Sequence, residues 1–114
     1  MKIQELRLTA AQNVNGQPRI MRSPKDVHMS KKDIDVVRIV NASDLAIPIR
    51  FLRVTPVGAP GADLPFEGPL PDDQTLAPGG SIDIPITKPG HLNFRTTPAN
   101  LTGGGNDSDL HIGC

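Results

Sequence analysis

Asp33-Ile-Asp-Val-Val-Arg-Ile-Val-Asn-Ala-Ser-Asp-Leu-Ala-Ile-Pro-Ile-Arg-Phe51 reads as a strand, a polar turn and a second strand. Val37 and Ile39 alternate with Val36, Arg38 and Val40, and beyond the turn Ile49 and Phe51 flank Arg50. A period of two carried by β-branched residues suits a pleated sheet buried on one face far better than a helix. Between the strands, Asn41, Ser43 and Asp44 offer side chains that bond their own backbone and close a turn.

The same alternation recurs on both sides. Lys2 to Ala11 sets Leu6, Leu8 and Ala10 against Glu5, Arg7 and Thr9, which predicts a first strand. Asn13-Val14-Asn15-Gly16 carries the Asn-Gly hairpin signal, and Gln17 to Arg22 is expected to pair back. Ser23-Pro24-Lys25-Asp26 turns the chain into a short strand at Val27 to Ser30. The strand after the central turn is expected to run on through Leu52, Arg53 and Val54, with a bulge near Leu52 where its apolar face switches. Downstream, Ser81 to Thr87 places Ile82, Ile84 and Ile86 on one face. Pro85 cannot donate to a ladder, so it marks an edge strand or a bulge. Lys88-Pro89-Gly90 turns into His91 to Thr97, where Leu92, Phe94 and Thr96 share a face. Pro98 to Asp109, with Gly103 to Gly105, reads as a loop, and Leu110-His111-Ile112 as a closing strand.

Between the central pair and Ser81 lies a different kind of sequence. Thr55 to Pro78 holds Pro56, Pro60, Pro65, Pro69, Pro71 and Pro78 with Gly58, Gly61 and Gly68 interleaved. Fixed φ angles and missing donors exclude a central strand or a long helix there. The segment reads as a surface excursion pinned to the body by Leu64, Phe66 and Leu70. Pro-stiffened loops lose less entropy on binding, which makes it a candidate contact for a protein partner or a second copy. The expected fold is all-β: one antiparallel Greek-key β-sandwich or barrel over residues 1–114, with seven or eight strands and no helix.

Composition narrows the function. Twelve basic residues balance twelve acidic ones in 114 residues, without the net basic stripe and stacking aromatics of a nucleic-acid surface. No apolar run is long enough to span a bilayer, and the N-terminus lacks the apolar stretch of a signal peptide. The single cysteine, Cys114, precludes a disulfide within the chain but can cross-link two chains. No Gly-x-Ser-x-Gly elbow or phosphate-cradling Gly-x-x-x-x-Gly-Lys occurs, so an enzyme is not expected.

Three pieces of the chain carry a resemblance. The first is Ser23-Pro24-Lys25-Asp26-Val27-His28-Met29 leading to Asp35-Val36-Val37-Arg38-Ile39-Val40-Asn41. The second is Leu76-Ala77-Pro78-Gly79-Gly80-Ser81, and the third is Lys88-Pro89-Gly90-His91-Leu92-Asn93-Phe94. In this order they resemble the cupredoxin family, the plastocyanin-like blue copper proteins, across most of the chain. The resemblance implies a cupredoxin-like topology and a periplasmic or secreted setting. It also implies a copper held by a His, a Cys, a second His and usually a Met, because thiolate and two imidazoles give a trigonal site with a weak axial sulfur. Counting from Asn41, the first of these positions is Ile47; counting from Lys88-Pro89-Gly90, the Cys position is Thr96. Pro98, Ala99 and Asn100 follow without His or Met, so the fold is expected without the blue site and without a cofactor.

Other metal chemistry rests on scattered donors. His111 and Cys114 lie three apart, and with His28 or His91 they make an alternative copper-binding site of non-blue type, for storage, delivery or electron transfer. His28-Met29 with Met21 offers donors to soft Cu(I). Asp72-Asp73 and Asp107-Ser108-Asp109 read as solvated acidic loops rather than calcium sites. Asn41-Ala42-Ser43, Asn100-Leu101-Thr102 and Asn106-Asp107-Ser108 match the glycosylation acceptor pattern, a mild excess over chance. The expected function is a non-catalytic binding or assembly module.

Overall fold

A computed structural model describes residues 1–12, 18–52, 64–96 and 107–113. Those residues form nine strands in two sheets. In chain order they are β1 (Ile3–Gln12), β2 (Pro18–Ser23), β3 (Val27–Ser30), β4 (Val36–Asn41) and β5 (Ile47–Leu52), then β6 (Gln74–Leu76), β7 (Ser81–Pro85), β8 (Gly90–Thr96) and β9 (Asp107–Gly113). A single 3₁₀ turn, Lys31–Asp33, links β3 to β4. One sheet has the order β2-β1-β4-β7 and the other β3-β9-β8-β5-β6.

Alternation in the sequence becomes two-sidedness in the sheets. Leu6 and Leu8 on β1, Val37 and Ile39 on β4 and Ile84 on β7 point inward from the four-stranded sheet. Ile47, Ile49 and Phe51 on β5, Leu92 and Phe94 on β8, and Leu110 and Ile112 on β9 meet them from the other. Burying each such side chain fully is worth about 1.5–3 kcal/mol, so the shared core holds the two layers together.

Three expectations need correction. The sandwich is mixed rather than antiparallel: β1 runs parallel to β4, and β3 parallel to β9. The chain passes to the other sheet between β2 and β4, so no tight hairpin fixes the relative direction of β1 and β4. The described strands number nine rather than seven or eight, because Gln74–Leu76 inside the Pro-rich stretch pairs with β5 through Ile47↔Leu76 and Ile49↔Gln74. It is a three-residue strand at the end of its sheet, so the described residues of this stretch, 64–78, hold no central strand. The last loop ends earlier than expected: Asp107–Gly113 is one strand, with Ser108 fully buried.

Other expectations hold. β7 is an edge strand with Pro85 opposite Val36. Leu64 and Phe66 are buried, and Leu70 packs partly against the core, so residues 64–70 are anchored as the sequence implied. Thr87 N–H donates to the Pro65 carbonyl at 2.8 Å and ties that anchor to the chain after β7. The turn at residues 77–80 has Gly79 at φ +79° after Pro78, and Gly80 N–H donates to the Ala77 carbonyl at 2.8 Å. Pro followed by a left-handed Gly is the pattern of a type II turn. The β5–β8 ladder stays in register to Leu52↔Asn93, and residues 53 and 54, through which the strand was expected to run on, lie outside the described residues. So do the Asn13–Gly16 turn, residues 55–63 of the excursion, and residues 97–106.

Candidate functional site

Asn41, which ends β4, organises one end of the sandwich. Fully buried, its Nδ2 donates to the Leu45 carbonyl at 2.7 Å and the Leu76 carbonyl at 2.9 Å. Its Oδ1 accepts from Ser43 N–H at 2.9 Å and from the Ser43 hydroxyl at 2.6 Å. One side chain thus closes the 41–45 turn and clamps it to β6, which sets where β5 begins. Its Nδ2 is committed to two carbonyls in the interior, so in the folded protein it is no site for a glycan.

β5 begins at Ile47, and β8 ends at Thr96. Both residues are 0% exposed. Ile47 pairs with Leu76 across the β5–β6 ladder. Thr96 lies opposite Ile49, and its hydroxyl accepts from Arg22 Nη1 at 3.2 Å. An alkyl chain gives a metal no lone pair, and a neutral hydroxyl already hydrogen-bonded to a guanidinium is a poor ligand. These two positions therefore serve packing.

The three histidines, far apart in sequence, arrive side by side. Register pairs His28 with His111 across β3–β9 and His91 with His111 across β9–β8. Val27 and Met29 beside His28, Leu92 beside His91, and Leu110 and Ile112 beside His111 pack inward, so all three rings project from the outer face of the five-stranded sheet. His28 and His111 meet edge to face with centroids 5.5 Å apart and planes at 81°. His91 stacks on His111 at 4.1 Å and 18°. His91 Nδ1 stands 3.9 Å from Asp109 Oδ1, an electrostatic approach too long for a hydrogen bond. An open groove of about 330 Å³ lies against the row, lined by His28, Met29, Ser30, His111 and Gly113. Ser30 Oγ and His91 Nδ1 are buried without a hydrogen-bond partner among the described residues.

The other expected donors do not join them. Cys114 lies outside the described residues, so its pairing with His111 is not described. Met29 packs against the core, whereas Met21 stands 46% exposed on β2 of the opposite sheet, so the soft His28–Met29–Met21 set is not assembled. Asp73 approaches Arg50 at 3.5 Å, beside a shallow groove of about 200 Å³ where β6 meets β5. Among the described residues, no three His, Cys, Asp or Glu side chains converge closely enough to hold an ion together. The histidine row was not anticipated as a row. Only strand register could have revealed it, and register is not local.

The outer face of the four-stranded sheet is organised by charge instead. Arg38 on β4 grips Asp83 on β7 with two hydrogen bonds of 2.7 and 3.1 Å, and Arg7 reaches Glu5 at 3.2 Å. The Arg38 hydrogen bond holds the Asp83 carboxyl below its ordinary value and raises the guanidinium in turn. Asp35 is also lowered, chiefly by the hydrogen bond from Lys2 N–H at 2.7 Å and further by the Lys31 cation. No helix of the described residues is long and apolar enough to cross a membrane. No known protein-family model matches the chain, and no curated protein matches it significantly.

Proposed function

We propose that this protein is a non-catalytic binding or assembly module on a cupredoxin-like sandwich that lacks the blue copper site. The observation that supports this most is the packing of Ile47 and Thr96, fully buried where the resemblance would set an imidazole and a thiolate. The all-β, two-sheet architecture agrees with such a scaffold. A periplasmic or secreted setting belongs to the same proposal.

The contact surface in this reading is the excursion before β7, with the sheet edge beside it. Residues 64–66 are buried and act as the anchor, while Glu67, Pro69, Asp72 and Asp73 face solvent beyond them. A stiffened loop on a fixed base binds with less ordering cost than a free one. Adjacent β6 is a short strand at the end of its sheet, with no further strand beside it among the described residues, and an edge of this kind is a place for another chain to pair. A partner or second copy here would touch the loop and the edge together.

The test is light scattering and native mass spectrometry of the full chain over a range of concentrations, with cross-linking of any complex. The proposal expects a dimer or a defined complex whose cross-links fall in residues 67–76. Replacing residues 67–73 with Gly and Ser should abolish it while the amide spectrum stays folded. A strict monomer that retains no partner argues against the module reading.

A further inference from the structure

We propose that His28 and His111 form an open seat for one divalent transition ion, Zn(II) or Cu(II), on the outer face of the five-stranded sheet. This is a different place from the Ile47–Thr96 end, and it does not rest on the assembly reading.

Ring geometry separates the two histidine pairs. Two imidazoles that share an ion at about 2.0–2.1 Å from one nitrogen each, at a near-tetrahedral angle, have centroids about 5 Å apart. His28 and His111 stand at 5.5 Å with planes turned by 81°, close to that spacing, so the rings need to turn about their side-chain bonds but not to move apart or together for one nitrogen of each to share an ion. His91 and His111 stack nearly parallel at 4.1 Å, so their in-plane lone pairs lie in near-parallel planes and do not meet at one point. His91 is therefore a buttress, fixing the plane of His111 from the side away from His28.

The surroundings suit an ion. The groove of about 330 Å³ opens on His28 and His111, not on His91, and leaves room for the waters that complete a two-imidazole shell. Ser30 lies two residues beyond His28 on the same face and lines the same groove. Its buried hydroxyl has no hydrogen-bond partner among the described residues, and a turn of the side chain toward the groove would let a metal-bound water supply one. On the far side, Asp109 lies 3.9 Å from His91 Nδ1 and offsets the positive charge that an ion would bring. Imidazole favours Zn(II) and Cu(II) over hard cations, and Cu(II) binds the tighter of the two at a given nitrogen site.

Calorimetric titration of the full chain with Zn(II) and with Cu(II), with imidazole NMR signals followed in parallel, tests this. The expected result is one ion per chain, with the rings of His28 and His111 shifting first. His28→Ala and His111→Ala should each weaken binding about tenfold or more, whereas Cys114→Ser leaves it unchanged. His91→Phe keeps a ring stacked on His111 and should retain most of the affinity. His28 is exposed, so His28→Ala keeps the fold and decides the matter even if His111→Ala does not. The proposal is overturned by the absence of stoichiometric binding, by binding that survives His28→Ala, or by binding lost only with Cys114→Ser or His91→Phe.

Discussion

The end of the sandwich at Ile47 and Thr96 and the outer face carrying His28, His111 and His91 make opposite use of their residues. At the first, two fully buried side chains fill the space between sheets, and the polar group present is hydrogen-bonded. At the second, polar rings sit together on a surface with room beside them. The four-stranded sheet shows what a structural outer face looks like here, because its neighbouring strands carry opposite charges in register, Glu5 beside Arg38 beside Asp83. Three identical titratable rings in a row offer no such complementarity. Interior substitutions should therefore change stability and spare ligands, whereas substitution of the exposed His28 should do the reverse.

The largest effect expected on stability is Ile47→Ala, which removes a fully buried side chain and should destabilise the fold by about 3 kcal/mol. Urea unfolding checks it, and metal titration of the same variant should be unchanged. Asn41→Ala follows, at about 2–3 kcal/mol, because it strands the Leu45 and Leu76 carbonyls and unties Ser43. A loss under 1 kcal/mol would mean that the 41–45 turn does not depend on this side chain. His28→Ala should move stability by no more than about 0.5 kcal/mol while it removes metal affinity, the mirror image of Ile47→Ala.

The smallest effect belongs to the paired carboxylates. Asp35 and Asp83 ionise below their ordinary value of 3.8 in the folded chain, so the folded state binds fewer protons than the unfolded state in acid. Their contribution is complete above that value and is lost as pH falls through the lower folded one. Asp83→Asn should give a shallower fall of the urea midpoint in acid and no change in slope near neutrality. An unchanged acid limb would show that the Arg38 pairing contributes nothing to folding.

Much of the fold was legible because burial on one face writes a period of two into the chain. Val36–Asn41 and Ser81–Pro85 were readable for that reason, and Pro85 correctly marked an edge. Strand partners were less legible: alternation says which side of β1 is buried, not that β4 lies beside it in parallel. Gln74–Leu76 was hidden because three residues among prolines are too few to show any period. The burial of Thr96 could be read from the face it shares with Leu92 and Phe94. The histidine row could not be, since His28, His91 and His111 meet only through the β3–β9 and β8–β9 registers.

Copper(II) added to the full chain, with visible absorption and NMR line widths recorded together, weighs the two regions most directly. The expected result is no intense thiolate-to-copper band, broadening centred on the His28 and His111 rings and extending to the stacked His91, and sharp methyl signals from Ile47 and Thr96. An intense visible band, or broadening centred on Ile47 and Thr96 while the imidazoles stay sharp, would contradict it.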